Sequence, residues 1–187
     1  MRRSLDLDMV LDGAERIIAA EGIDALSMRR LGAELNISFS GLYVYVSGRD
    51  DLLLGLIARK LSAIMPTLRA TEGLASDHRL ESIITTVIDM LRMEAVARTI
   101  GREIGGHLLD GHDRDPELLV EFRGLLTSSC IAWAKDRMDA HPAEIGSIVR
   151  GIILTTIYDS HLGTHDQETW RRIRERMLVA LRSAATA

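Results

Sequence analysis

Apolar residues along this chain recur every three or four positions, with no run that alternates at period two, and that regularity restricts the fold to packed helices. Val10, Leu11, Ala14, Ile17 and Ile18 share one face, and Gly22 follows where a helix from about Asp6 to Glu21 needs a left-handed end. Ser27 suits the N-cap of a short second helix through Leu35, with Met28, Leu31 and Leu35 on one side. Asn36 tolerates positive φ and can turn the chain. Ser38 then caps a third short helix through about Tyr45, with Leu42 and Val46 pointing inward. Asp50 and Asp51 favour the start of a fourth, whose stripe of Leu52, Leu53, Leu56, Ile57 and Leu61 runs toward Pro66.

The same period continues. Leu80, Ile83, Ile84, Val87, Ile88 and Leu91 mark a fifth helix, and Ile100, Ile104, His107 and Leu108 a shorter sixth, ended by the loop 110–115. Asp115 and Pro116 read as cap and first residue of a seventh, carrying Leu119, Phe122, Leu126, Cys130 and Trp133. An eighth opens at His141-Pro142 and is apolar nearly all round. A ninth runs from about Asp166 to Ser183. The expected fold is therefore all-α with about nine helices. A three-helix unit over residues 1–54 is joined by the fourth helix to a larger helical unit over residues 55–187. With aromatics at 4% the core must be aliphatic, and 47% hydrophobic residues with three prolines suit a globular chain, not a disordered one.

Several functions are disfavoured. The single cysteine, Cys130, excludes an intramolecular disulfide and a multi-cysteine metal site and reads as a small core residue. Acids follow Arg2 and Arg3 where an export signal needs an apolar run, and no stretch reaches the ~18 apolar residues of a membrane span, so a cytoplasmic protein is expected. No phosphate-binding glycine loop, nucleophile elbow or Glu-bearing zinc motif occurs, so neither an enzyme nor a cofactor is expected. His161 and His165 have a metal-ligand spacing, but Gly163 between them interrupts the helix, and no metal site is assigned.

A net charge of −4 argues against a nucleic-acid partner until its distribution is considered. Between Ser27 and Arg49 stand Arg29, Arg30 and Arg49 against a lone acid, Glu34. Two short helices joined by a tight turn suit duplex DNA, because the major groove admits one while the other braces it across the backbone. The amides at both N-termini, near Ser27 and Ser38, can also hold phosphates. The competing reading is two short helices in a protein-interaction bundle.

The run from Ile23 to Leu54, with Gly41-Leu-Tyr-Val-Tyr-Val46 followed by Arg49-Asp-Asp-Leu-Leu53, resembles the DNA-binding region of the tetracycline-repressor (TetR) family of bacterial regulators. The similarity spans roughly residues 7–58. It implies that Arg29, Phe39, Ser40 and Gly41 fall where the family reaches base edges, and that Tyr43, Tyr45 and Arg49 fall where it holds phosphates. Departures are informative. Asn36 stands where glycine is common, Tyr45-Val46 where His-Phe is frequent, and Phe39 where the residue is often polar. Base reading by apolar contact with thymine methyls, together with Arg29, is the resulting expectation.

A lone recognition helix discriminates poorly, so a two-fold dimer is expected. Its interface is expected on the eighth and ninth helices through Ile145, Ile148, Val149, Ile152, Trp170, Ile173, Met177 and Leu181, the pair the family normally uses. The resemblance also implies a small-molecule cavity among helices four to eight. Met90, His107, Trp133, Thr155 and Asp159 are the candidate lining, and an apolar or amphipathic effector the expected occupant. The expected function is a dimeric, palindrome-binding repressor released from its operator by that effector. The alternatives are a constitutive DNA-binding regulator and a helical interaction module.

Overall fold

The computed structural model describes residues 6–103, 107, 111–136, 150–151, 168, 171–172, 175 and 179. Among these, the regular elements are helical. Helix α1 (Leu7–Glu21) begins where Asp6 accepts a hydrogen bond from the Met9 amide at 2.8 Å and ends at Gly22, whose φ of 87° lets its own amide donate back to Ile18 at 3.0 Å. A 3-10 turn, Ile23–Ala25, leads into α2 (Met28–Leu35), α3 (Phe39–Leu42) and α4 (Arg49–Arg69). Then follow α5 (Ser76–Met93), α6 (Ala95–Glu103) and α7 (Glu117–Lys135). The eighth and ninth helices, with Thr155, Asp159 and the expected dimer residues from Ile145 to Leu181, lie outside the described residues.

Three boundaries differ from the sequence reading. Helix α3 stops at Leu42 instead of Tyr45, because the Tyr45 amide bonds the Leu42 carbonyl at 2.9 Å in a tighter, three-residue turn, where Val44 and Val46 are poor helix formers. Helix α4 passes through Pro66 to Arg69. The missing amide there is offset by burial of Met65 and Leu68 on the same last turn. Helix α7 starts at Glu117, with Pro116 before it, and Asp115 does not cap it.

One aliphatic core runs through all seven helices, from Val10 and Ile17 in α1 through Leu31, Leu42 and Leu56 to Ile83, Ile100, Leu126 and Trp133. Helix α4 is the shared wall: it packs against α1 on one side and against α5, α6 and α7 on the others. A cluster of ions reinforces the first contact. Arg59 bonds Asp12 at 2.6 Å and also Glu15, while Lys60 bonds Glu15 and reaches Glu94 at 3.0 Å. Burial pushes the Glu15 carboxyl up, but Lys60 and Arg59 together hold it below its ordinary value. Cys130 is buried against this core, and burial pushes its thiol up to about 12, so it is not a nucleophile at neutral pH.

Candidate nucleic-acid interface

Residues 6–48 build a platform for α3. Ser27 Oγ accepts from the Arg30 amide at 3.1 Å and starts α2; Asn36, at φ 53° and ψ 45°, ends it in the left-handed region. The turn is closed by the Ile37 amide donating to Gly32 at 2.9 Å. Gly32 allows this close approach, since a Cβ would crowd the Ile37 carbonyl oxygen at 3.1 Å. At Gly13 of α1 a Cβ would come within 2.9 Å of Leu35 Cδ2, so that side chain of α2 would have to shift. Neither glycine was singled out in the sequence, because close approach between helices leaves no local pattern.

Helix α3 is short and held from beneath. Ser38 Oγ accepts from the Gly41 amide at 3.2 Å and lies 3.2 Å from Ser40 Oγ. Leu42 is 0% exposed and Val46 5%, so these two anchor the segment in the core, as their spacing predicts. The opposite face is open. Phe39 is 53% exposed, Tyr43 47% and Val44 79%, and the rings of Phe39 and Tyr43 meet edge to face at 5.0 Å. Tyr43 therefore lies outside the core, whereas Tyr45 is half-buried and packs against it. A free apolar and aromatic surface of this kind on so short a helix is unusual unless something covers it.

Charge around the platform is less positive than the residue count suggests. Arg30 is bound by Glu21 at 2.5 Å and Glu34 at 3.0 Å, and Arg16 also reaches Glu34 at 3.3 Å. Arg30 and Arg16 hold the Glu34 carboxyl below its ordinary value. Arg29, one position along, is exposed and makes no ion pair among the described residues. It is the cation available to a partner beside α3.

Arg49, for which the resemblance implies a phosphate contact, is already engaged within the chain. Its Nε donates to the Leu26 carbonyl at 3.2 Å and its Nη2 to the Ile23 carbonyl at 3.3 Å, with Glu103 of α6 at 3.9 Å. Those carbonyls belong to the 3-10 turn between α1 and α2, where the Ile23 oxygen also accepts from the Leu26 amide at 3.1 Å. In this arrangement Arg49 ties that turn to the start of α4.

His107 also differs from its expected setting. It lines a polar cleft of about 140 Å³ with Arg49, Asp50, Leu53 and Glu103, at the start of α4 and the end of α6. Its Nδ1 lies 2.5 Å from Asp115, which also accepts from the His112 amide at 2.8 Å and from Arg123 at 2.7 Å. Burial pushes the Asp115 carboxyl up, and the His112 amide, Arg123 and His107 pull it further down, so it stays below its ordinary value. Met90 and Trp133, by contrast, are packed into or against the aliphatic core. Among the described residues no group of three His, Cys, Asp or Glu side chains is placed to hold a metal ion, and no helix is long and apolar enough to cross a membrane.

A capped helix, a left-handed turn and a second helix with an open outer face, all carried on a third, define a protein of the helix-turn-helix class. The comparisons agree. Residues 10–56 match the profile described as "Bacterial regulatory proteins, tetR family". Over 50 residues the chain is 48% identical to the HTH-type transcriptional repressor DrrR1 of Streptomyces coeruleorubidus, a match that covers 27% of this chain. The chain spans 18% and 33% of the lengths of the curated relatives it matches. Among solved structures, BioQ of Mycobacterium smegmatis superposes with a TM-score of 0.70 over 97% of this chain and 98% of that one, at 19% identity. FadR of Bacillus subtilis in complex with stearoyl-CoA superposes at 0.60 over 96% and 95%, at 16% identity. Residues 10–56 thus carry the N-terminal region of the tetR family of bacterial regulatory proteins, and the chain as a whole shares the fold of these solved regulators.

Proposed function

We propose that the protein is a sequence-specific, dimeric DNA-binding regulator, acting as a repressor that a small-molecule effector releases from a palindromic operator. The observation that carries this reading is the open surface of α3 and the turn after it: Phe39, Tyr43 and Val44 are exposed while Leu42 holds the helix from below, and Arg29 of α2 is exposed as well. An inserted helix needs that combination of a rigid seat and an uncovered surface. In this reading Arg29, Phe39, Ser40 and Gly41 meet base edges, and Ser27, Ser38, Tyr43 and Tyr45 meet phosphates. Arg49 supports them from behind through the Ile23 and Leu26 carbonyls.

The division at residues 54 and 55 assigns the first three helices to DNA and the rest to dimerisation and effector binding, with α4 continuous between them. The eighth and ninth helices are the proposed dimer surface. Met90, Trp133, Thr155 and Asp159 remain candidates for the effector cavity; His107 is assigned to the junction instead. A structure of BioQ with its double-stranded DNA operator, similar at a TM-score of 0.66, and the stearoyl-CoA complex of FadR support both halves of the reading by analogy of fold. No catalysis and a cytoplasmic setting complete the proposal.

The test is a band-shift titration on mixed-sequence duplex DNA at two salt concentrations. Affinity should fall by an order of magnitude or more between roughly 50 and 200 mM salt, because bound counterions are released. Binding that is absent at micromolar protein, or indifferent to salt, contradicts the proposal.

A further inference from the structure

Six arginines among those described are half-buried: Arg30, Arg49, Arg59, Arg79, Arg123 and Arg150. Four of them face carboxylates, Arg30 on Glu21 and Glu34, Arg49 on Glu103, Arg59 on Asp12 and Glu15, and Arg123 on Asp115. Arg79 of α5 and Arg150 have no such partner among the described residues. Arg79 makes one long hydrogen bond, 3.5 Å from Nη2 to Ser128 Oγ, and Arg150 makes one of 3.4 Å from Nη1 to Thr127 Oγ1. The Nε atoms of these same two residues are the buried side-chain nitrogens left without an acceptor. Two guanidiniums from different parts of the chain thus each bond one of two consecutive hydroxyl residues of α7.

A guanidinium carries five N–H donors and a full charge, and a single neutral hydroxyl at the limit of hydrogen-bond length satisfies neither. Half-burial of such a group without a carboxylate is costly, and twice within one turn of one helix it is a pattern. Planar, forked donors of this type match the oxygens of carboxylates and phosphates. Thr127 adds a neutral hydroxyl beside Arg150, whereas the Ser128 hydroxyl already donates to the Leu125 carbonyl at 3.0 Å and accepts from Arg79. One helical turn further on, the buried Cys130 and then Trp133 form apolar wall.

We infer that Arg79 and Arg150, with Thr127 and Ser128, form an oxyanion site for a small molecule bearing a carboxylate or phosphate group. The inference extends the proposed effector response by naming the ligand's charged end. Binding is tested without DNA, so its failure is separable from failure of the DNA reading.

The experiment measures thermal unfolding of the full chain with sodium dodecanoate, with dodecanol at equal concentration, and with inorganic phosphate, each against sodium chloride of matched ionic strength. Saturable stabilisation by dodecanoate and not by dodecanol assigns the site to organic acids, and stabilisation by phosphate assigns it to phosphate groups. Arg79→Gln and Arg150→Gln should each weaken the apparent affinity tenfold or more. Without added anion both variants should melt at or above the wild-type temperature, since each removes an uncompensated charge. Three results overturn the inference: no stabilisation by either anion, variants that respond like wild type, or variants that change the oligomeric state without anion. The last would give the arginines to a second copy of the chain.

Discussion

Replacing Asp115 by asparagine tests a carboxylate whose side chain is wholly buried among three donors. The Asp115 side chain is 0% exposed and accepts from His107 Nδ1, the His112 amide and Arg123 Nη1, while Arg123 retains 17% exposure and His107 26%. Hydrogen bonds to charged groups are worth about 1.5–3 kcal/mol each, and breaking a buried ion pair costs about 3–5 kcal/mol. Partial exposure of Arg123 and His107 reduces that figure, and asparagine still offers one oxygen, so the expected loss is about 2–3 kcal/mol at pH 7. In a chain of this size the melting temperature should fall by roughly 4–10 °C.

The pH dependence has a defined sign. The folded carboxyl lies below its unfolded value of about 3.9, so its stabilisation is fully present above that pH and is lost as pH falls through the lower, folded value. Urea unfolding followed by circular dichroism, at pH 7 and in steps from pH 5 to 3, reads both effects. Wild type and Asp115→Asn should differ at pH 7 and converge in acid. A loss under about 0.5 kcal/mol at pH 7, within the ordinary range for surface substitutions, would refute the argument, and so would a gap that persists unchanged at pH 3.

Three further outcomes are expected. Arg29→Ala should weaken operator binding and relax sequence preference, whereas Arg30→Ala, already occupied by Glu21 and Glu34, should change affinity less than about threefold; band shifts at fixed salt compare them. Replacing thymine by uracil, site by site in the operator, should weaken binding at the bases met by Phe39, and the Phe39→Ala variant should no longer distinguish the two; equal discrimination in that variant would assign methyl reading elsewhere. Asn36→Gly should be neutral or stabilising by up to about 1 kcal/mol and Asn36→Val destabilising by more than that, because φ is 53°; chemical denaturation checks the order.

The parts of the fold that were legible in the sequence are those decided by near neighbours. Asp6, Ser27 and Ser38 cap the helices they precede, Asn36 takes the left-handed turn, and Leu42 and Val46 face inward, each set within three or four residues. What was not legible depends on groups far along the chain. Arg49 finds acceptors 23 and 26 residues earlier, and no local pattern distinguishes that strut from a solvated phosphate clamp. Asp115 turns from its expected cap toward the preceding loop, where the His112 amide, Arg123 and His107 together take its oxygens. Pro66 stays inside α4 because tertiary burial of Met65 and Leu68 overrides propensity. The short helix that Ser38 caps was legible in the sequence, but the exposure of Phe39 and Tyr43 is a property of the assembled three-helix unit.

The central claim is that α3 enters the groove of DNA as one of two symmetric reading heads. Selection of bound sequences from a random duplex pool, followed by sequencing, tests it most directly. The account predicts an inverted repeat whose half-sites are centred about one helical turn, ~34 Å, apart, and its loss on substitution of Arg29. Enrichment of no sequence, or of a site lacking two-fold symmetry, would contradict it.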